Sequence, residues 1–142
     1  MFFYADENFM LPAARILDIF EHENKIVHCY DYFDNRKGIP DTEWIRAIAK
    51  EKAKHLKVVV ISQDLRILKN AAEKRALQEC GYWFVTFHKS IMKFSWNEFA
   101  WKLLKAWPDI VEHVDKSKYP TVFEVMPGKS LKIRDHGLVS EN

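Results

Sequence analysis

The chain has 142 residues, of which 48% are hydrophobic and 14% aromatic, and its formal net charge is +2. This composition excludes an intrinsically disordered chain, and the length suits one domain with a buried core. The net charge is too small to predict nucleic-acid binding by itself. Two cysteines do not make a disulfide framework. Because we find neither a membrane-span pattern nor the basic start of a signal peptide, we expect a cytoplasmic protein with no membrane partner.

The first third of the chain alternates between strand and helix patterns. Residues 2–6 are predicted as a buried strand, followed by a helix that has Pro12 in its first turn. A second strand is predicted at 25–30, and the polar segment 31–40 is typical of a loop. The spacing of apolar residues then predicts a helix at about 41–56.

The same alternation continues through the middle of the chain. Four consecutive β-branched residues, Val58–Ile61, predict a strand that is covered on both faces. A helix is predicted at roughly 65–80, with Gly81 positioned to end it, and a fourth strand at 82–87. Ser95 then begins a capping-box sequence that predicts another helix.

The C-terminal part has a different pattern. Pro108 is expected to interrupt the helix that begins near Ser95. Residues 121–125 and 131–133 are predicted to form a terminal β-hairpin. We find no internal repeat or linker, so the pattern predicts a single α/β domain, 1–142, with a mostly parallel sheet. Its predicted core is about 1–114 and its β appendage about 115–142.

Acidic residues follow two of the predicted strands and begin one of the helices. Asp6 ends the first strand, Asp64 follows the third, and Asp41 and Glu43 begin the helix between them. The carboxyl ends of parallel strands open into one crevice, so these carboxylates are expected to meet. Gathered carboxylates repel one another unless they share protons or hold a cation. An all-oxygen set suits Mg²⁺ or Mn²⁺, whose usual partner is a phosphate ester, so the sequence indicates metal-dependent phosphodiester chemistry.

Each acidic residue also has a structural interpretation. Asp6, Asp41 and Asp64 all stand where a helix N-cap is expected, and Asp is a preferred N-cap residue. Glu43 falls in a first helical turn, where the helix dipole favours negative charge. One carboxylate oxygen can cap a helix while the other binds a metal. Glu73, further along its predicted helix, is interpreted as a surface charge.

Other polar residues near the strand ends are candidates for substrate binding. Asn8 would orient a water or cap a helix, while Ser62 and Thr86 would supply hydroxyl groups to the crevice. Arg66 and Lys69 share a predicted helix face close to Asp64. There they would bind the phosphates that flank the phosphate to be cleaved. The alternative for each of these two is a solvated helix face.

Trp101 falls outside the apolar stripe of its predicted helix. Exposed large aromatic residues are enriched at interfaces, so we expect self-association or partner binding through the aromatic C-terminal half.

Three segments, Phe2–Asn8, Gly38–Ile45 and Val60–Ile67, resemble PIN-like domains. They are most similar to the toxin branch found in bacterial type II toxin–antitoxin modules, with its Ile-Pro-Asp-x-x-Trp motif and its strand ending in Thr/Ser-x-Asp. The resemblance covers about residues 1 to 90.

The resemblance implies a Rossmann-like α/β/α domain that binds Mg²⁺ or Mn²⁺, hydrolyses RNA and has an antitoxin protein as its partner. The ligands would be Asp6, Asp41 and Asp64, with Glu43 as a further acidic residue of the site. Many PIN domains carry a fourth acidic residue after the next strand, but here that segment is Thr86–Lys89.

The leading hypothesis is therefore a metal-dependent endoribonuclease. The rival is a signalling receiver domain, in which Asp6 and Glu7 form the acidic pair, Asp64 accepts a phosphoryl group, and Thr86 and Lys89 assist. A third possibility is a PIN-like scaffold that binds RNA or protein without cutting it. Phosphorylation of Asp64 by acetyl phosphate would favour the receiver domain, and cleavage of single-stranded RNA would favour the nuclease.

Overall fold

The computed structural model describes residues 1–64, 69–128 and 132–138. Its sheet has the strand order β2-β1-β3-β4-β5-β6, in which the first five strands are parallel and the last is antiparallel to its neighbour. The predicted α/β fold with a mostly parallel sheet is confirmed. The strands are β1 (Phe2–Ala5), β2 (Lys25–His28), β3 (Val58–Ser62), β4 (Trp83–Phe87), β5 (Thr121–Met126) and β6 (Lys132–Leu138).

Helices cover both faces of the sheet and make three layers. One apolar cluster packs α1 and α5 against one face, and a second packs α3 and α4 against the other. Within the described residues, no helix combines the length and apolar character needed to cross a membrane. The helices are α1 (Leu11–Phe20), α2 (Cys29–Tyr32), α3 (Asp41–Ala47), α4 (Ala71–Cys80) and α5 (Trp96–Lys116), with 3₁₀ helices at Ile48–Ala53 and Lys89–Lys93.

The chain reverses its direction across the sheet at β1. It steps from β1 to β2 on one side and returns to β3 on the other, which places a topological switch point between β1 and β3. Ligands of open α/β sheets bind outside the carboxyl ends of the strands at such a point. The connections from β3 to β4 and from β4 to β5 step in the same direction across the sheet, but the first runs through α4 on one face and the second through α5 on the other. The two connections therefore have opposite handedness, and one of them departs from the usual right-handed crossover.

Several predicted elements are shorter than expected. The helix predicted at roughly 65–80 begins only at Ala71, and residues 65–68 of that prediction lie outside the described residues. The second strand ends at His28 because Cys29 begins α2, and the His28 imidazole accepts the Tyr30 N–H at 3.2 Å. The helix predicted at 41–56 is α-helical only to Ala47 and continues as the 3₁₀ helix Ile48–Ala53. This tightening keeps the fully buried Ile48 in the core.

The expectation that Pro108 interrupts its helix is wrong, because α5 runs unbroken from Trp96 to Lys116. Proline removes one backbone hydrogen bond, but Ile110 and Val114 beyond it are buried in the core and hold the next two turns in place. The end of α5 is also fixed from outside. The Lys57 ammonium donates to three carbonyl groups there, at 2.6 to 2.7 Å.

The terminal strands do not form a separate appendage. β5 and β6 make the predicted antiparallel pair, but β5 also pairs in parallel with β4, with Phe84 opposite Val122. Phe123 and Val125 of β5 are buried in the same cluster as α5, so this strand is part of the core sheet. The predicted start of the last strand at Leu131 lies outside the described residues.

Candidate functional site

Asp6 lies directly beyond β1 at the switch point. Its N–H donates to the Ile61 carbonyl at 3.1 Å, which extends the pairing of β1 with β3 by one residue. Its side chain is 4% exposed, and its Oδ1 accepts the Asn8 N–H at 3.1 Å. Because α1 begins at Leu11 with Met10 as the N-cap, Asp6 does not cap that helix. The capping interpretation of Asp6 is therefore wrong.

Asp64 lies beyond β3, the neighbour of β1. The Ser62 hydroxyl accepts the Asp64 N–H at 3.0 Å and fixes this turn. The Asn8 side-chain amide reaches Asp64 Oδ2 at 3.5 Å, so the ends of β1 and β3 touch through side chains. Asp6 and Asp64 therefore follow the ends of two adjacent strands, β1 and β3, as expected. The N-cap of α4 is Asn70, not Asp64.

Asp41 is brought to this edge by α3. It is the first residue of that helix, whose N-cap is Pro40, so it does not act as the N-cap. Instead, its Oδ1 accepts the indole N–H of Trp44 at 2.7 Å. The Trp44 ring is buried and stacks on Tyr4 of β1 with a centroid separation of 4.8 Å. The carboxylate is thus anchored to the core through an aromatic side chain.

An open cavity of about 390 Å³ lies where these residues meet. Carboxylate and amide side chains form its wall, and none of the described residues that line it is cationic. Its lining residues are Asp6, Glu7, Asn8, Asp41, Asp64, Asn70 and Glu73.

The concentration of acidic groups changes their protonation. Burial is the largest cause that raises the pKa of Asp6, to about 7; hydrogen bonds from Ser62 and Asn8 lower it, and the charges of Asp41 and Asp64 raise it further. Near neutral pH a substantial fraction of Asp6 therefore carries a proton unless a cation is present.

Glu73, which lines the same cavity from α4, is a second carboxyl group with a raised pKa. Its pKa is raised first by burial and then by the charge of Asp41 and a hydrogen bond with that carboxyl group. Glu73 therefore holds its proton more strongly than an isolated glutamate when no cation is bound. Glu73 is partly exposed, as the surface interpretation expects, but it also lines the cavity.

A family model described as a PIN-like domain matches residues 1–89, which include every residue that lines the cavity. The match extends over more than half of the chain. The chain belongs to the PIN-like domain family. The fold is therefore of a nuclease type, and the match does not support the receiver-domain alternative. No curated protein and no solved structure matched the sequence.

The donor chemistry of this PIN-like cavity fits a hard divalent cation, because its wall supplies only carboxylate and amide groups. The side chains are nevertheless spread around the wall. Within residues 1–64 and 69–128, no three carboxylate, imidazole or thiol groups lie close enough together to bind one ion. A cation bound here would have to draw the carboxylates closer together.

Several predicted residues of the PIN-like site lie elsewhere. Glu43 does not line the cavity; it is about half exposed and accepts two hydrogen bonds from Arg36, at 3.0 and 3.1 Å. Ser62 is fully buried, so it contacts Asp6 and Asp64 rather than a substrate. Lys69 is exposed in the turn before α4 and is not part of the cavity wall, and Arg66 lies outside the described residues.

Sequence reasoning missed Asn70 and Glu73 as site residues. The sequence did contain a signal for them. Asn70 is an N-cap residue followed three positions later by the acidic Glu73, a pattern that marks the start of a helix. It also missed Glu124, a single charge inside an apolar strand. Glu124 is 5% exposed and lies opposite Thr86 of β4, which in turn lies opposite Ser62 of β3.

Proposed function

We propose that this PIN-like domain is an endoribonuclease that depends on Mg²⁺ or Mn²⁺. The observation that carries the proposal is the convergence of Asp6, Asp41 and Asp64, from three separate parts of the chain, on one cavity whose described wall consists of carboxylate and amide side chains. Glu7 and Glu73 add two further carboxyl groups to the same wall. A divalent ion held by these carboxylates would supply Lewis-acid stabilisation of the charge that develops on a phosphodiester.

The surrounding contacts give each acid a distinct role. Asp6 is buried and fixed by hydrogen bonds, so it serves as the rigid ligand at the cavity floor. Asp64 is more exposed and stays within reach of the Asn8 amide, which orients it. Asp41 is held by the Trp44 indole, and a hydrogen bond links it to Glu73, whose pKa is raised by burial and by the Asp41 charge.

The wall also favours hydrolysis by water over a covalent mechanism. The described lining residues are aspartates, glutamates and asparagines, and none offers a hydroxyl, thiol or amine nucleophile. Carboxylates near a phosphodiester are suited to orienting a water molecule and accepting its proton. In this proposal the attacking group is water, and the side chains serve to bind and orient.

The test compares purified wild type with Asp6→Asn and Asp64→Asn on an end-labelled single-stranded RNA, with Mg²⁺ or with EDTA. We expect each substitution to lower the cleavage rate by at least about 100-fold, and EDTA to abolish wild-type cleavage. Asp109→Asn, an exposed acid on α5, serves as the matched control. Cleavage that persists in EDTA, or full activity in either site variant, would refute the assignment. RNA binding without any cleavage would identify a scaffold.

We also propose that the protein acts as a toxin with a protein antitoxin as its partner. The support is the similarity of the three motif segments to the toxin branch of PIN-like domains. Induced expression should arrest bacterial growth, and Asp64→Asn should remove the arrest at equal protein level. Growth that continues with the active enzyme present at high level would contradict the toxin role. Relief of the arrest by co-expression of the neighbouring reading frame would identify the antitoxin.

A further inference from the structure

An exposed surface with aromatic and basic side chains follows β4. It is formed by the end of the 3₁₀ helix Lys89–Lys93 and the first half of α5. Trp101 is 51% exposed and Trp96 39% exposed, although both are large apolar side chains. The residues of this α5 surface are Met92, Lys93, Trp96, Trp101, Lys102 and Lys105.

The α5 surface begins beside the acidic cavity. Gln63 immediately precedes Asp64, and its amide nitrogen contacts Met92 Sδ at 3.1 Å. Two residues after Met92, Phe94 begins a connected group, because the Lys102 ammonium lies 4.3 Å from the centre of the Phe94 ring and 5.9 Å from that of Trp101. The segment from Trp96 to Lys105 extends it by about 14 Å along the helix axis.

The charge of this segment differs from that of the rest of the chain. Residues 89–105 contain four lysines and one glutamate, a formal charge of +3, whereas the whole chain carries +2. Lys102 pairs with the glutamate, Glu98, at 3.3 Å, and Lys105 lies 6.0 Å from the centre of the Trp101 ring. A polyanion that extends from the acidic cavity along this segment would therefore meet positive charge.

We propose that the α5 surface binds single-stranded RNA on one side of the phosphodiester that is cleaved, an inference that rests on the proposed ribonuclease function. Exposed indole rings stack on bases of any sequence, and neighbouring lysines neutralise phosphates. A protein partner fits less well, because the core of a protein interface is depleted of lysine, and here lysines lie directly against the exposed tryptophan.

The experiment measures RNA binding in the Asp64→Asn background, without divalent ions, so that cleavage cannot interfere. The probe is a fluorescein-labelled single-stranded 12-mer RNA, and its affinity is followed by anisotropy over a range of salt concentrations. The test variants are Trp101→Ala and the double substitution Lys93→Gln with Lys105→Gln. The matched controls are Tyr119→Ala, a 66% exposed aromatic residue just before β5 at the opposite edge of the sheet, and Lys118→Gln.

We expect Trp101→Ala to raise Kd about tenfold. The double lysine variant should also bind more weakly, and its log–log salt slope should fall by about 1.4, since each phosphate contact on a single strand contributes about 0.7. Both controls should stay within about twofold of the parent. Thermal melting checks that every variant is folded.

An unchanged Kd for Trp101→Ala would overturn the inference. Loss of an oligomer on size exclusion, with RNA affinity retained, would make the surface an interface between copies of the chain and would also overturn it. The two proposals fail separately. Wild-type protein that binds RNA through this surface but never cleaves it would remove the ribonuclease function alone. Normal cleavage and affinity in Trp101→Ala would remove the α5 surface alone.

Discussion

Replacing Asp6 with Asn should make the metal-free protein more stable at pH 8 and change how its stability depends on pH. Asp6 is 4% exposed and lies close to other carboxylates, so its charged form is disfavoured in the folded state. Asn keeps the shape and the acceptor oxygen for the Asn8 N–H but carries no charge. The substitution therefore removes the charge penalty while leaving the packing intact.

The magnitude follows from the pKa. In the unfolded chain the Asp6 pKa is near 3.8, whereas in the folded protein it is raised to about 7. Between these values the folded state binds more protons than the unfolded state, so the free energy of unfolding falls as pH rises. At about 1.4 kcal/mol per pH unit, the loss between pH 5 and pH 8 is about 3 kcal/mol. For a domain of this size, that corresponds to a fall in Tm of roughly 10 °C.

Thermal and denaturant unfolding of wild type and Asp6→Asn should be measured at pH 5, 6, 7 and 8 in EDTA, and again with Mg²⁺. The difference between the two proteins isolates Asp6 from other groups. Burial lowers the pKa of His28, for example, and that contributes stability that increases with pH. In EDTA the variant should exceed wild type by about 3 kcal/mol more at pH 8 than at pH 5. Mg²⁺ should stabilise wild type at pH 8 and leave the variant nearly unchanged.

Two outcomes would refute this reasoning. If the stability difference between wild type and Asp6→Asn is constant from pH 5 to pH 8, Asp6 is not the group with a raised pKa. If Asp6→Asn is less stable than wild type at pH 8 in EDTA, the carboxylate contributes a structural interaction that outweighs its charge penalty.

Three further predictions concern contacts that support the site and the fold. Lys57→Met should lower the free energy of unfolding by about 3 kcal/mol with an unchanged denaturant m-value, because three carbonyls at the end of α5 lose a charged donor; a loss below about 1 kcal/mol would show that water replaces the lysine. Asn70→Ala should cost about 1 kcal/mol through loss of the α4 N-cap, and Asn70→Asp should restore most of it; equal stability of all three proteins in denaturant unfolding would contradict the capping role. Trp44→Phe should free Asp41, so metal affinity measured by calorimetry should fall several-fold, and Tm should also fall because the smaller ring leaves a void in the core; unchanged affinity would show that the indole hydrogen bond does not position the carboxylate.

The sequence by itself was sufficient for features that depend on local patterning. The apolar run of β3 and its position between two helical patterns predicted a parallel strand, and Asp6 and Asp64 follow their strands without an intervening helix. Side chains at the carboxyl ends of parallel strands share one edge whatever the details of packing. The Ser95 cap and the positive φ of Gly81 are also local, and both are present.

Other features depended on contacts between distant parts of the chain. The residues of β5 do not themselves predict its pairing with β4, because that pairing depends on which face of the sheet α5 covers. The continuity of α5 through Pro108 likewise depends on residues beyond it being buried. Burial of several apolar side chains outweighs the loss of one hydrogen bond, and a single sequence does not reveal that balance.

The two glutamates at the third position of their helices show where local reasoning ends. Glu43 of α3 and Glu73 of α4 occupy equivalent positions in a first turn, and the sequence favoured Glu43 as the site residue. In the fold, Glu73 lines the cavity and Glu43 pairs with Arg36. The direction of a first-turn side chain is set by how its helix is rotated against the sheet. Burial of the apolar stripe fixes that rotation, so only the tertiary structure decides which glutamate reaches the acidic cavity.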